Sequence, residues 1–95
     1  MGDDVLARAA SALAGASSVA LACHVNPDAD ALGSMLGLST YLRGRGIATT
    51  CSYPNEPFEP PRWLELLPGR DALVPPREFP KRPELLVTCD VASLD

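Results

Sequence analysis

The sequence contains no apolar run of membrane-spanning length, and its first residues, Met1-Gly2-Asp3-Asp4, lack the basic stretch of a signal peptide. Both absences predict a soluble, cytoplasmic protein with no membrane partner. Positive charge is scarce: 8 Lys and Arg face 12 Asp and Glu, a net charge of -4. That balance excludes gripping a nucleic-acid backbone by bulk electrostatics alone. An acidic chain that handles phosphates needs metal ions to reverse the local sign. Cysteine is limited to Cys23, Cys51 and Cys89, an odd number with no C-x-x-C spacing. All three lie in or beside strand-like runs, so they read as small buried hydrophobes in a reducing compartment rather than a disulfide. The Walker-type loop, the G-x-S-x-G elbow and the G-x-G-x-x-G fingerprint are absent as well. Histidine occurs once, at His24.

What is there suits a small globular fold. Residues 1–95 make one domain at most, and the 46% apolar content separates the chain from disordered sequences. The spacing predicts a first helix capped by Asp3 or Asp4, with an apolar stripe of Val5, Leu6, Ala9, Ala10 and Leu13 and a stop at Gly15. Ser18 to His24 reads as a buried central strand because Val19 to Cys23 is continuously apolar. Asn26-Pro27 breaks it, and proline disfavours helical backbone at Asn26. A second helix follows from about Ala31 to Leu42, its start expected near Ala29 to Ala31, with Leu32, Met35, Leu36, Ser39 and Leu42 on one face. Gly33 and Gly37 are expected to let it approach the strand closely, and Gly44 and Gly46 to end it.

Ile47 to Tyr53 predicts a second, parallel strand, completing a β-α-β unit. Proline-rich connectors then alternate with a short helical piece at Arg62 to Leu67 and an extended one at Ala72 to Val74. The scattered Arg62, Arg70, Arg77, Lys81 and Arg82 read as solvated surface charges rather than substrate contacts. Glu84 to Cys89 reads as a last strand, again central, delivering Asp90 at its carboxyl end. The fold class is α/β: three layers, a mostly parallel sheet with flanking helices.

In open α/β sheets, sites form outside the carboxyl ends of the strands. His24 ends the first strand, Asp28 and Asp30 occupy the turn after it, and Asp90 ends the last. Singly, each has a structural reading. A lone histidine at a strand end is usually structural, Asp30 suits a helix N-cap, and Asp90 suits the cap of a following helix. Together, at one sheet edge, they favour a site. One imidazole with several carboxylates is too hard a set for structural zinc and suits Mn²⁺, with Mg²⁺, Fe²⁺ or Co²⁺ as substitutes. Two such ions about 3.5–4 Å apart stabilise both the attacking and leaving oxygens at phosphorus. Gly33-Ser34 is a weaker phosphate-approach feature at the helix start.

The stretch His24-Val25-Asn26-Pro27-Asp28-Ala29-Asp30-Ala31-Leu32-Gly33-Ser34 resembles the first motif of the DHH phosphoesterase superfamily. It is most similar to the bacterial oligoribonuclease (nanoRNase)/PAP phosphatase branch, related to the RecJ exonucleases. Asp90-Val91-Ala92-Ser93 resembles the second motif, and the order of elements is similar over nearly the whole chain. The resemblance implies that His24 and Asp28 bind one Mn²⁺, that Asp30 binds another, and that Asp90 bridges them. It further implies hydrolysis of short single-stranded RNA, linear dinucleotides and the nucleoside bisphosphate 3′-phosphoadenosine 5′-phosphate. The Asp-His-His motif, the fourth motif and the glycine-rich substrate-binding domain do not occur in these residues. The chain is therefore expected to be the N-terminal portion of a DHH catalytic domain, weak or inactive in isolation, with homo-oligomerisation open. Two rivals stand beside this reading: a family II inorganic pyrophosphatase-like hydrolase, and a non-catalytic α/β module binding a nucleotide or a partner.

Overall fold

A computed structural model of the chain describes residue 8 and residues 11–89. The sheet is three-stranded and parallel, made of β1 (Ser18–Ala22), β2 (Ala48–Ser52) and β3 (Leu86–Thr88), in the order β2-β1-β3. One long helix, α1 (Ala29–Gly44), connects β1 to β2. Three 3₁₀ turns follow β2, at Arg62–Leu66, Arg70–Ala72 and Pro76–Glu78. Residues 11–15 are helical and Leu13 packs against the core, consistent with the expected first helix. The rest of its stripe (Val5, Leu6, Ala9, Ala10) and its cap (Asp3 or Asp4) lie outside the described residues.

β1 is the centre of the molecule. Val19, Ala20 and Leu21 point alternately to the two sheet faces, and all three are buried, so both faces of this strand are covered. On one face Val19, Leu21 and Cys51 meet the stripe of α1 formed by Ala31, Leu32, Met35, Leu36 and Leu42. Ser39 lies in the same stripe, fully buried, and is hydrogen-bonded to Thr49 of β2. Arg43 extends that polar link, donating from Nε to Thr49 (3.1 Å) and from a terminal guanidinium nitrogen to Asp71 (2.9 Å). The Arg43 guanidinium holds the Asp71 carboxyl below its usual range.

The outer edge of β2 is closed by a short extended piece. Leu73 bridges Cys51 in parallel, Val74 donates its N–H to the Cys51 carbonyl (2.9 Å), and the Ser52 hydroxyl donates to the Val74 carbonyl (2.7 Å). At the opposite edge β3 is tied to the start of β1 through Glu84. Its carboxylate accepts from the Ser17 hydroxyl (2.7 Å) and from the Ser17 and Ser18 backbone N–H groups (3.2 Å each). Those bonds keep the Glu84 carboxyl below its usual range.

Two expectations are corrected. Among the described residues β3 lies at the edge of the sheet rather than the centre, and Leu86 on it is 50% exposed. A continuous apolar run does not by itself distinguish a strand with two neighbours from one with a single neighbour. Gly33 and Gly37 are not sites of close helix–strand approach, since a Cβ at either would meet nothing within 4 Å. The close approach is at Gly69, in the turn after Arg62–Leu66, where a Cβ would sit 2.6 Å from Thr40 Oγ1 and 3.1 Å from the Leu36 carbonyl oxygen. Gly69 also has a φ of +86°, which disfavours any residue with a Cβ. Substituting Gly69→Ala is therefore expected to destabilise the chain by about 1–3 kcal/mol, through backbone strain and contact with α1. Urea unfolding monitored by circular dichroism checks this; an unchanged midpoint would refute it.

Candidate functional site

The carboxyl edge of the sheet is built by two hydrogen bonds beyond the strands themselves. Cys23 donates its N–H to the Ser52 carbonyl (3.1 Å), and Cys89 donates its N–H to the Ala22 carbonyl (2.7 Å). β1 and β3 thus run side by side to their ends in the register Ala22↔Thr88. His24 follows Ala22 by two residues, and position 90 follows Thr88 by two. The chain leaves β1 toward α1 and β2, while β3 lies on the other side of β1. The edge between β1 and β3 is therefore a topological switch point, where crevices form in open α/β sheets.

Cys23 sits beneath the turn. It is buried, with its thiol donating to the Ala31 carbonyl (3.6 Å) and lying 3.7 Å from Met35 Sδ. The next residue, His24, is exposed. Its Nδ1 lies 2.8 Å from the carbonyl oxygen of Val25. A carbonyl can only accept, so Nδ1 is the donor in this contact. Metal-binding histidines commonly donate from one ring nitrogen to a carbonyl in this way while the other binds the ion.

Asn26 has a φ of +53°. The tendency of a pre-proline residue toward extended backbone is overridden here, by a residue type that tolerates left-handed conformations. Asp28 then caps α1: its Oδ1 accepts the Ala31 N–H (2.8 Å), and its carbonyl accepts the Leu32 N–H (3.0 Å). This starts the helix at Ala29, within the expected range of Ala29 to Ala31. It also reassigns the cap, since Asp30, expected there on the structural reading, lies in the first turn and is exposed. Both carboxylates lie near the positive end of the helix dipole. Ser34 is exposed and Gly33 half-buried, one turn further along.

The donor types suit a hard divalent cation: an imidazole and two carboxylates at one sheet edge. The described residues do not complete a coordination shell. Among them, no group of three or more His, Cys, Asp or Glu side chains is gathered to hold a metal. Two causes are visible. Asp28 is turned back onto the helix as its cap. Asp30 is displaced from it by two residues, which near a helix start means about 200° of rotation. Asp90 lies outside the described residues.

Sequence reasoning overlooked Asn55. It lies three residues after β2 and pairs with Asn26 through two hydrogen bonds, accepting from the Asn26 N–H (2.8 Å) and donating from Nδ2 to Asn26 Oδ1 (2.9 Å). Its position just beyond a strand ending at the same sheet edge was the available signal. Beside the turn, a cavity of about 230 Å³ is lined by Ala22, Cys23, Ser52, Tyr53, Pro76 and Phe79 among others. Its wall is mainly apolar and includes two aromatic rings. Burial pushes the Cys51 thiol up to about 11 and raises that of Cys89, which lowers their reactivity, and no disulfide joins the three cysteines.

No protein-family model matches the chain.

The capping role of Asp28 allows its two duties to be separated. Asparagine caps a helix about as well as aspartate, whereas alanine costs about 1 kcal/mol. Asp28→Asn is expected to keep the metal-free stability within about 0.5 kcal/mol and to abolish Mn²⁺-induced stabilisation, while Asp28→Ala should lose both. Thermal unfolding with and without Mn²⁺ checks this; a full Mn²⁺ response in Asp28→Asn would remove Asp28 from the ligand set.

Proposed function

We propose that this chain carries part of a two-metal phosphoesterase centre at the carboxyl edge of β1 and β3. In this reading it acts on short oligoribonucleotides, linear dinucleotides and 3′-phosphoadenosine 5′-phosphate. The observation that supports it is the parallel register Ala22↔Thr88, extended by the Cys89 N–H to Ala22 carbonyl bond. In this reading the pairing would lead Asp90 toward the edge that His24 occupies, although the two are 66 residues apart in sequence (90 − 24).

His24 would hold one divalent cation, preferably Mn²⁺, through Nε2, with its Nδ1 proton fixed by the Val25 carbonyl. Asp28 would join it with the carboxylate oxygen not used for capping, since a carboxylate has acceptor capacity beyond one bond. Asp30 would serve the second ion and Asp90 would bridge the two. The ions would supply Lewis acidity at a phosphoryl oxygen, and the positive charge that a chain of net charge -4 lacks. The apolar cavity bordered by Tyr53 and Phe79 lies against Cys23, the residue before His24, and has room for a nucleobase whose phosphate reaches the edge. This cavity favours nucleotide substrates over pyrophosphate, which has no apolar part.

Metal that binds only the folded state stabilises it by mass action, about 2.7 kcal/mol at a hundredfold excess over Kd. For a domain of this size that raises Tm by roughly 10 °C or more. Mn²⁺ is expected to raise the Tm saturably, and any turnover by the chain to fall on a 5′-phosphorylated RNA dinucleotide rather than on pyrophosphate. A preference for pyrophosphate would support the family II pyrophosphatase reading. A Tm indifferent to Mn²⁺ would support a non-catalytic module.

A further inference from the structure

Asn26 lies midway between His24 and Asp28, in a turn whose backbone takes a left-handed φ of +53°. Asparagine tolerates that conformation but does not enforce it, so contacts must select it. Asn55 does so at two points, accepting the Asn26 N–H and donating back to Asn26 Oδ1. Asn55 is itself fixed: its own N–H donates to the Tyr53 carbonyl (3.0 Å). Tyr53 is buried, with its ring 4.7 Å from that of Phe58. The turn is thus fastened to the rigid exit of β2 and not only to the strand it leaves. Asn26 is exposed and water could replace either bond at little cost in stability. The consequence of the pairing is therefore orientation: it fixes where His24 and Asp28 stand relative to each other.

We infer that Asn55 is a positioning residue for the metal-binding turn, locking the Asn26 backbone so that His24 and Asp28 address one cation. This inference rests on the metal reading above, and its test separates the two. The measurements are Mn²⁺ affinity by electron paramagnetic resonance, and exchange of the Asn26 amide proton by NMR in the metal-free protein. Asn55→Ala removes both hydrogen bonds. It is expected to abolish protection of the Asn26 amide and weaken Mn²⁺ binding at least about tenfold, the scale typical of groups that orient metal ligands. Asn26→Gly tolerates the same φ and keeps the N–H to Asn55 Oδ1, losing only the second bond. It is expected to retain amide protection and stay within about threefold of wild-type affinity, an effect clearly smaller than the orienting-group scale.

Unchanged affinity and protection in Asn55→Ala would overturn the inference. So would a loss of affinity in Asn26→Gly as large as that in Asn55→Ala, since the Asn26 side chain would then be the group that matters. Absence of Mn²⁺ binding by the wild type would overturn the metal reading. The lock would then be judged on amide exchange alone, upheld if Asn55→Ala loses Asn26 protection and overturned if it does not.

Discussion

Everything at the carboxyl edge depends on the hydrogen bonds that β1 makes on both of its sides. On one side its ladder runs to β2 and ends with Cys23 bonded to Ser52. On the other it runs to β3 and ends with Cys89 bonded to Ala22. Parallel strands need long connections, and here these are α1 on one side and the three 3₁₀ turns with their prolines on the other. Burial of Val19, Ala20 and Leu21 holds β1 in the middle. A shift of β3 by one residue would turn its side chains to the other face. The pairing of Glu84 with Ser17 and Ser18 at the amino end of β1 opposes such a shift.

The turn after β1 has a role in folding beside the binding role proposed for it. Asp28 is at once a candidate ligand and the residue that starts α1. Its capping bond is local and forms with the helix, so the turn is shaped before any cation arrives. The dipole of α1 also favours negative charge at that end, where Asp28 and Asp30 both lie. Asn26 and Asn55 add a third constraint, tying the turn to the loop that leaves β2. Nδ1 of His24 is bonded to the next carbonyl, which orients the imidazole at the start of the turn.

Much of the fold was legible because its signals are local. The stripe of Leu32, Met35, Leu36, Ser39 and Leu42 marked the buried face of α1, and every one of these residues is buried. The run Val19 to Cys23 marked β1, and the short extended segment around Leu73 was visible between its prolines. What was not legible depends on partners far apart in sequence. The edge position of β3 follows from strand order, which apolar content does not encode. The close packing of Gly69 on α1, and its absence at Gly33 and Gly37, depends on how the segment after β2 folds back. For the candidate site, His24, Asp28 and Asp30 were visible as residue types, but the choice of Asp28 as cap and the partnership of Asn26 with Asn55 were not. Both are geometric outcomes of a turn that bends against the usual pre-proline preference.

The central claim is that β1 and β3 bring one cation-binding edge together from two distant segments. Adding substoichiometric Mn²⁺ to the isotopically labelled chain and recording backbone NMR spectra tests it most directly, because the ion broadens signals near it. The account predicts selective, simultaneous broadening of residues 24–30 and of residues 88–90. Broadening of the first segment without the second, or diffuse broadening at exposed acids such as Glu65 and Glu78, would contradict it.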